Sequence, residues 1–216
     1  MALDFPANPT NGQTFGQYIY DTSIPGWRNV NSSEGIGLQS KSGLIPVVPT
    51  SLVVNSGSAT SASDGTITAT GFTTLKINGV FTSAYRNYRV VIDIQSTSAA
   101  TDIDGDYMSS GTPSGTPFRR FRIYNYSGGL GYNYNDGVGN FNFCRSNGVY
   151  GLVTTMDIIA PQVSGIYKRT IANSLEGTYQ MLSSSVNSTT ASYDGLYMTT
   201  TAGTVGDTKI KIYGYN

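Results

Sequence analysis

The amino-acid sequence predicts an all-β fold that consists of a small N-terminal β-ribbon and a C-terminal β-sandwich of jelly-roll type. Short runs of strand-forming residues recur along the chain with glycine, serine or asparagine between them, and hardly any segment shows the 3.6-residue periodicity of an amphipathic helix. The densest run, Thr73–Thr97, has apolar residues at alternate positions from Leu75 to Ile77 and again from Tyr88 to Ile94. Such alternation is typical of strands that bury one face.

The first element is a ribbon of two or three strands in residues 1–30. Two prolines near its start disfavour a helix, and Asn11-Gly12 indicates a turn. We expect extended pieces at Gln13–Phe15, Tyr18–Asp21 and Gly26–Val30. A ribbon of this size buries aromatic rings poorly, so its aromatic residues are expected to pack on the next domain or on another protein. These candidate anchoring residues are Phe5, Phe15, Tyr18, Tyr20 and Trp27.

The remaining chain divides into a linker, residues 31–50, and the β-sandwich domain, residues 51–216. Two prolines that flank two valines in the linker favour an extended crossing. The strands expected in the β-sandwich are Ser51–Asn55, Thr66–Ala69, Thr73–Ile77, Tyr88–Ser96, Phe118–Tyr126, Tyr150–Ile159, Tyr167–Ala172, Thr178–Ser183, Leu196–Thr201 and Lys209–Tyr213. In the last one, Ile210 and Ile212 are predicted to share one face.

Charge and composition narrow the classes of function. Thirteen basic and thirteen acidic residues give a net charge of zero, so no long-range field attracts nucleic acid or an anionic membrane. Charged residues make up 12% of the chain, about half the usual ~25%. A neutral polar surface favours a subunit that packs in an assembly. Without an export signal or a long apolar stretch, the chain is expected to be made and assembled in a cytoplasm.

The chain has no histidine and one cysteine. It therefore has no internal disulfide, no multi-cysteine zinc site and no Ser-His-Asp or Cys-His arrangement of its own. Cys144 is predicted to be a small buried residue, and no phosphate-binding GxxxxGK[ST] loop occurs, so no cofactor is expected. A pair of carboxylates could still hydrolyse glycosides, but their spacing selects no pair. The sequence favours a protein that is not an enzyme.

Two clusters of charged residues are candidate sites. Asp102, Asp104 and Asp106 alternate in a segment that is predicted to be a loop, and three carboxylates could share a calcium ion. The EF-hand pattern fails because its twelfth position is Pro113, so a solvated loop is favoured and no metal is predicted. The other cluster consists of Arg119, Arg120 and Arg122 on a strand. An ion-pair site between subunits is the favoured interpretation of these arginines.

The passage Tyr124–Tyr150 is rich in tyrosine, asparagine and glycine. These residue types occur in sugar-binding loops and in antibody-like binding surfaces, because rings give rigid contact area and amides give adaptable hydrogen bonds. Tyr124, Tyr132 and Tyr134 are therefore candidates for a subunit interface or for contact with a host surface glycan. The same alternation also predicts a half-buried hairpin around Asp136-Gly137.

Three segments carry a resemblance to a known group of proteins. Residues 5–15, FPANPTNGQTF, followed by YIYD at 18–21 and Trp27, resemble a module near the start of structural proteins of tailed bacteriophages. The pattern NGVFTSAYRNYRVV within residues 78–91 is similar to the opening of the β domain in phage virion proteins, and residues 41–54 resemble the connector before it. The resemblance implies attachment to a virion by the N-terminus and a trimeric β domain.

Together these features predict a structural protein of a phage virion, with no catalytic residues. It would be a fibre, tail or baseplate subunit that binds other virion proteins through its N-terminal ribbon and forms a homotrimer through its β domain. A capsid decoration or cement protein of the phage head is one alternative. A polysaccharide-degrading tailspike is another, although 216 residues without a long repeat are few for one.

Overall fold

A computed structural model describes residues 6–15, 18–21, 26–29, 43–126, 129–148, 150–177 and 179–216. The chain forms two compact units, Met1–Gly43 and Leu44–Asn216. Across these ranges, no helix is long and apolar enough to cross a membrane.

The first unit contains the predicted ribbon. It is an antiparallel sheet of three strands, β1 (Thr14–Phe15), β2 (Tyr18–Asp21) and β3 (Gly26–Asn29). The turn before β1 is closed by the Gln13 amide, which donates to the Thr10 carbonyl over 2.9 Å, and Gly12 supplies a φ of 81°. Phe15 is exposed, whereas Tyr18 and Tyr20 are half-buried. Phe5 and the side chain of Trp27 lie outside the described part of the chain.

The second unit is a β-sandwich, as the sequence predicts. Its larger sheet has ten strands in the order β13-β12-β17-β16-β15-β9-β19-β7-β6, with β4 beside β19. They are β4 (Ile45–Pro46), β6 (Ser58–Ser61), β7 (Ile67–Thr70), β9 (Asn87–Ile94), β12 (Phe118–Tyr126), β13 (Gly129–Val138), β15 (Leu152–Ile159), β16 (Arg169–Glu176), β17 (Tyr179–Asn187) and β19 (Thr208–Tyr215).

The smaller sheet has six strands in the order β11-β10-β18-β8-β5, with β14 also paired to β10. They are β5 (Ser51–Asn55), β8 (Thr74–Asn78), β10 (Thr101–Ser109), β11 (Thr112–Pro113), β14 (Phe141–Ser146) and β18 (Gly195–Thr200). All ten strands predicted in this domain are present, and β5 and β12 match their predicted bounds. The second unit also includes residues 44–50, at the end of the predicted linker, because Pro46 pairs with Tyr213 of β19.

The core lies between the two sheets. Alternate residues of β9 from Tyr88 to Ile94 are buried, as are Ile210 and Ile212 of β19 and Leu75 of β8, as their alternation predicts. Aromatic rings fill one region of this core: the Tyr107 ring lies 5.1 Å from the Tyr193 ring, 5.4 Å from that of Phe141 and 5.6 Å from that of Phe118. The Tyr107 hydroxyl and Thr170 Oγ1, which belong to opposite sheets, are 2.6 Å apart in a hydrogen bond.

Two predictions about local structure are wrong. The segment with Asp102, Asp104 and Asp106 is strand β10 in the interior of the smaller sheet, not a solvated loop. The hairpin around Asp136-Gly137 is also absent, because β13 pairs with β12 and β14 pairs with β10 in the other sheet. Gly137, with a φ of 74°, instead lies in a bulge opposite Arg119, a conformation that glycine adopts without steric cost.

Candidate functional site

The outward side of the larger sheet exposes an unusual number of large apolar side chains. Eight of them lie on five consecutive strands, β13, β12, β17, β16 and β15, and are 39–80% exposed. They are Leu130, Tyr132, Tyr134, Phe121, Leu182, Ile171, Leu175 and Val153. We call this surface the outer apolar face. Of the sequence candidates, it includes Tyr132 and Tyr134.

Strand register joins these residues into one surface, because opposite residues of antiparallel strands point to the same side. One row across the five strands runs Leu130, Asn125, Gln180, Leu175, Val153. The next runs Tyr132, Ile123, Leu182, Asn173, Thr155, and the third runs Tyr134, Phe121, Ser184, Ile171, Asp157. Asp157 is the single charged residue in these rows, and it forms an ion pair with Arg89 over 2.8 Å at the rim.

The inward side of strands β16 and β17 carries small hydroxyl residues instead. Their buried positions include Thr170, Ser174, Ser183 and Ser185, whereas Ile171, Leu175 and Leu182 point outward. A period-two pattern alone would place the larger apolar set in the core. The sequence analysis therefore did not identify Ile171, Leu175 and Leu182 as surface residues. The sequence does show the alternation of these strands, but alternation alone does not tell which side is buried.

The two charged clusters of the sequence meet in the interior between the sheets. Arg120 and Arg122 on β12 point inward, where Arg120 Nη1 lies 3.7 Å from Asp104 Oδ1 and Arg122 Nη1 lies 3.4 Å from Asp102 Oδ2. Buried Asn142 of β14 connects them: its Nδ2 donates to Asp104 Oδ1 over 2.9 Å and its Oδ1 accepts from Arg122 Nη1 over 3.2 Å. We call these five side chains the ion-pair network.

Burial shifts the acid–base properties of the inner carboxyls. Desolvation raises the pKa of Asp104, although the Asn142 hydrogen bond and the charge of Arg120 act in the opposite direction. Desolvation also raises the pKa of Asp106, whose oxygens accept hydrogen bonds from Ser114 and from the Gly115 amide. The three aspartates therefore have partners within the chain, and no group that could hold a metal ion is found among the described residues.

The three arginines thus have different positions. Arg120 and Arg122 bind the chain's own aspartates, whereas Arg119 points outward beside the outer apolar face, where its Nε lies 3.2 Å from Asp136 Oδ1. Cys144 is buried, as predicted, and burial raises the pKa of its thiol well above the ordinary value.

A cleft opens next to the ion-pair network, at the end of strands β12, β16 and β17. Its empty space, including the mouth, is about 440 Å³. Its lining residues are Arg122, Tyr124, Asn125, Arg145, Asn147, Ser174, Glu176, Tyr179, Gln180 and Met181. Buried Glu176 accepts hydrogen bonds from Ser146 Oγ over 2.9 Å and from the Asn147 amide over 2.8 Å. Of the sequence candidates, Arg122 and Tyr124 lie here.

Comparison with known proteins gives a limited result. No protein-family model matches the chain, and no curated protein matches it. Among solved structures, it is similar to a variant of the alginate lyase Aly36B in complex with an alginate trisaccharide, at 11% identity, a TM-score of 0.32, and coverage of 79% of this chain and 100% of that one. It is also similar to the protein of unknown function SO2946 from Shewanella oneidensis MR-1, at 8% identity, a TM-score of 0.24, and coverage of 80% and 78%.

Proposed function

We propose that this chain is a non-enzymatic structural subunit of a tailed-bacteriophage virion, of the fibre, tail or baseplate type. The N-terminal ribbon attaches it to other virion proteins, and the β domain assembles with copies of itself as a homotrimer. The sequence resemblance of residues 5–15 and 78–91 supports the virion context. The outer apolar face supports assembly, and it is the observation that carries the proposal.

The size of the outer apolar face fits a protein interface. With about 200 Å² for a fully exposed large side chain, its eight residues offer on the order of 900 Å² of surface. Polar residues such as Asn125, Gln180 and Asn173 lie between these side chains, so the value is a summed area; it is larger than is usual for scattered apolar residues on a monomer surface. It equals about what one partner contributes to a standard protein interface, ~800 Å².

The chemistry of the face favours a second copy of the chain as its occupant. The first two rows contain no charged residue, so the surface has no charge pattern with which to select a charged partner. The chain itself has zero net charge, so copies do not repel one another. The tyrosine and phenylalanine side chains of the face, on the edge strand β13 and its neighbour β12, are also residue types that are enriched at protein interfaces.

The substitution Leu182→Asp tests this assembly because Leu182 lies in the middle row, where an unpaired carboxylate would become buried. Light scattering after size exclusion should give about 69 kDa for the unaltered chain, three times the mass of one 23.0 kDa chain. For the variant it should give the mass of one chain, with an association constant at least about 100-fold lower, or ~3 kcal/mol.

Val53→Asp provides a matched control. Val53 is 52% exposed and Leu182 is 50% exposed, but Val53 lies on β5 of the smaller sheet. We expect this variant to keep the mass of the unaltered protein. A monomeric unaltered chain at micromolar concentration, or an oligomer that Leu182→Asp leaves intact, would contradict assembly through the outer apolar face.

A further inference from the structure

We propose that strand β13 pairs with β13 of a second copy of the chain, in an antiparallel contact with two-fold symmetry. Among the described residues, β13 pairs with β12 alone and forms one end of the larger sheet. We call the side of this strand that faces away from β12 the β13 edge. A three-fold assembly contains no two-fold contact, so the pairing joins chains of different trimers and goes beyond the proposed function.

The β13 edge is longer than the other sheet ends and lacks their usual protection. The strand has ten residues, whereas β6, at the opposite end of the larger sheet, has four, and the end strands β5 and β11 of the smaller sheet have five and two. Proteins commonly protect an edge with proline, lysine or other charged residues. Residues 129–135, GLGYNYN, include none of these. Their backbone groups are therefore suited to pair with an added strand.

The register with β12 keeps this segment regular and then ends it. Residues from Gly129 to Asn135 pair with β12 without interruption, and the bulge with Asp136 and Gly137 follows. The bulge bends the strand, and Asp136 forms an ion pair with Arg119 over 3.2 Å. The pairing is therefore limited to residues 129–135, which offer about six to eight hydrogen bonds in a two-fold antiparallel contact.

Side chains of β12 hold this segment in place from its inward side. The Tyr124 ring lies against Gly131, where an added Cβ would be only 2.4 Å from the ring atom Cε2. Arg120 Nε donates to Asn135 Oδ1 over 3.4 Å, and the Arg122 guanidinium carbon lies 5.6 Å from the centre of the Tyr124 ring. A strand that is already ordered loses less conformational entropy when a second strand pairs with it.

The segment is self-complementary about Tyr132. When Tyr132 lies opposite Tyr132 of the second copy, Leu130 of each copy lies opposite Tyr134 of the other. Opposite residues of antiparallel strands point to the same side, so all three outward positions form apolar or aromatic pairs. A slip by two residues toward the bulge places Leu130 opposite Asp136, and a slip by one places Tyr132 opposite Asn133. The register centred on Tyr132 is therefore favoured.

The outward side chains of the segment offer apolar surface that this pairing covers in part. Leu130, Tyr132 and Tyr134 are 80%, 79% and 61% exposed, the highest values for large apolar side chains among the described residues. With about 200 Å² for a fully exposed large side chain, they expose roughly 440 Å². This is about half of the ~800 Å² that one partner contributes to a standard interface. The pairing is therefore weak by itself, and its test captures it covalently.

Disulfide capture tests the register, because Cys144, the chain's single cysteine, is buried. Directly opposite residues have Cα atoms about 4.5–5.5 Å apart, within the ~4.4–6.8 Å range of a disulfide. Tyr132→Cys should therefore give a dimer of about 46 kDa, twice the 23.0 kDa of one chain, on a non-reducing gel. Val53→Cys, at a 52% exposed position of β5, should cross-link at least about tenfold more slowly, because random collisions lack this proximity.

Two more variants distinguish this register from others. Leu130→Cys and Tyr134→Cys should each cross-link slowly alone, because the two like residues of the contact are about 14 Å apart. Mixed together, they should form the mixed dimer as readily as Tyr132→Cys forms its own, as measured by intact mass spectrometry. Equal cross-linking of all variants with themselves, or no dimer with Tyr132→Cys, would overturn the proposal.

A Leu182→Asp background separates the β13 edge from assembly through the outer apolar face. Tyr132→Cys should still form its dimer in this background. A disulfide that requires Leu182 would show contact through the face and would contradict pairing at the edge. A monomeric unaltered chain, by contrast, would contradict only the trimer.

Amide hydrogen exchange provides a readout without a substitution. In the unaltered chain, alternate amides of residues 129–135 should exchange more slowly at higher protein concentration, and the amides of β6 should not. Exchange in residues 129–135 that is independent of concentration would also overturn the proposal.

Discussion

Removal of Arg120 should destabilise the fold far more than removal of its neighbour Arg119. The Arg120 and Asp104 side chains are 18% and 7% exposed, and Arg120 Nη1 lies 3.7 Å from Asp104 Oδ1. Arg120→Leu leaves the Asp104 carboxylate in the interior with the Asn142 hydrogen bond and the more weakly acting charge of Arg122. Loss of one partner of a buried ion pair costs about 3–5 kcal/mol, and the long separation places the expected loss near 3 kcal/mol at pH 7.

The pH dependence of the stability loss in Arg120→Leu shows whether the charge of Asp104 causes it. Burial raises the folded-state pKa of Asp104 above the unfolded value, and the charge of Arg120 lowers it. A raised folded pKa means that the folded protein binds the proton more tightly, so stability falls as pH rises through that pKa. Without Arg120 the folded pKa rises further, and this fall becomes larger. The stability difference between Arg120→Leu and the unaltered protein should therefore be smaller at pH 4.5 than at pH 7.

Urea unfolding followed by circular dichroism measures both effects. With a slope of about 2 kcal/mol per molar urea, the loss at pH 7 corresponds to a midpoint lower by roughly 1.5 M. In an Asp104→Asn background, which keeps an oxygen for Asn142 but removes the charge, Arg120→Leu should cost at least ~1.5 kcal/mol less. These measurements give the coupling between the two side chains.

Arg119→Leu is the matched control on the same strand. Its ion pair with Asp136 is shorter, 3.2 Å, but the two side chains are 67% and 53% exposed, so its loss should cost less than about 1 kcal/mol. Equal losses for the two arginine variants, or a loss for Arg120→Leu that is constant from pH 4.5 to pH 7, would refute the assignment of stability to the ion-pair network.

Two further predictions follow from the fold and from the proposed attachment. Gly57→Ala should lower the free energy of unfolding, measured in urea, by about 3 kcal/mol, because Gly57 has a φ of +67° and an added Cβ would lie 1.9 Å from the Thr70 carbonyl oxygen. Gly139→Ala is the control, because no atom lies within 4 Å of its added Cβ. Equal losses for the two variants would contradict the reasoning. Deletion of residues 1–30 leaves the compact unit Leu44–Asn216 and should give a folded protein that mass spectrometry no longer finds in purified virions. Normal incorporation of that truncated chain would show that the ribbon is not the anchor.

The strands were largely predictable because period-two alternation is a local property. Every second residue of β9 from Tyr88 to Ile94 is apolar, as are Ile210 and Ile212 of β19, and the structure buries these residues on one side. The wrong prediction of a loop at Asp102, Asp104 and Asp106, which lie in β10, also has a physical cause. Aspartate is rare in strands, and what allows Asp102 and Asp104 to lie in one is the approach of arginines from β12, which no local pattern reports.

The same distinction applies to the candidate sites. The sequence identified Arg122 and Tyr124 as notable, but it could not bring them together with Glu176 and Tyr179, which are more than 50 residues away in the chain. The cleft depends on the register of β12 with β17 and on the packing of β14 across β16 and β17. Both depend on residues that are far apart in the chain, so local sequence patterns do not predict them.

By itself, the sequence determined that the chain forms strands and which residues alternate within them, because these properties depend on neighbours in the chain. Only the tertiary structure decided which side of each strand is buried. In β16 and β17 the hydroxyl residues point inward, where Thr170 hydrogen-bonds to Tyr107 and where β14 packs, and Ile171, Leu175 and Leu182 point outward. Strand alternation is symmetric between the two sides of a sheet, so the choice is made by the sheet that packs against it.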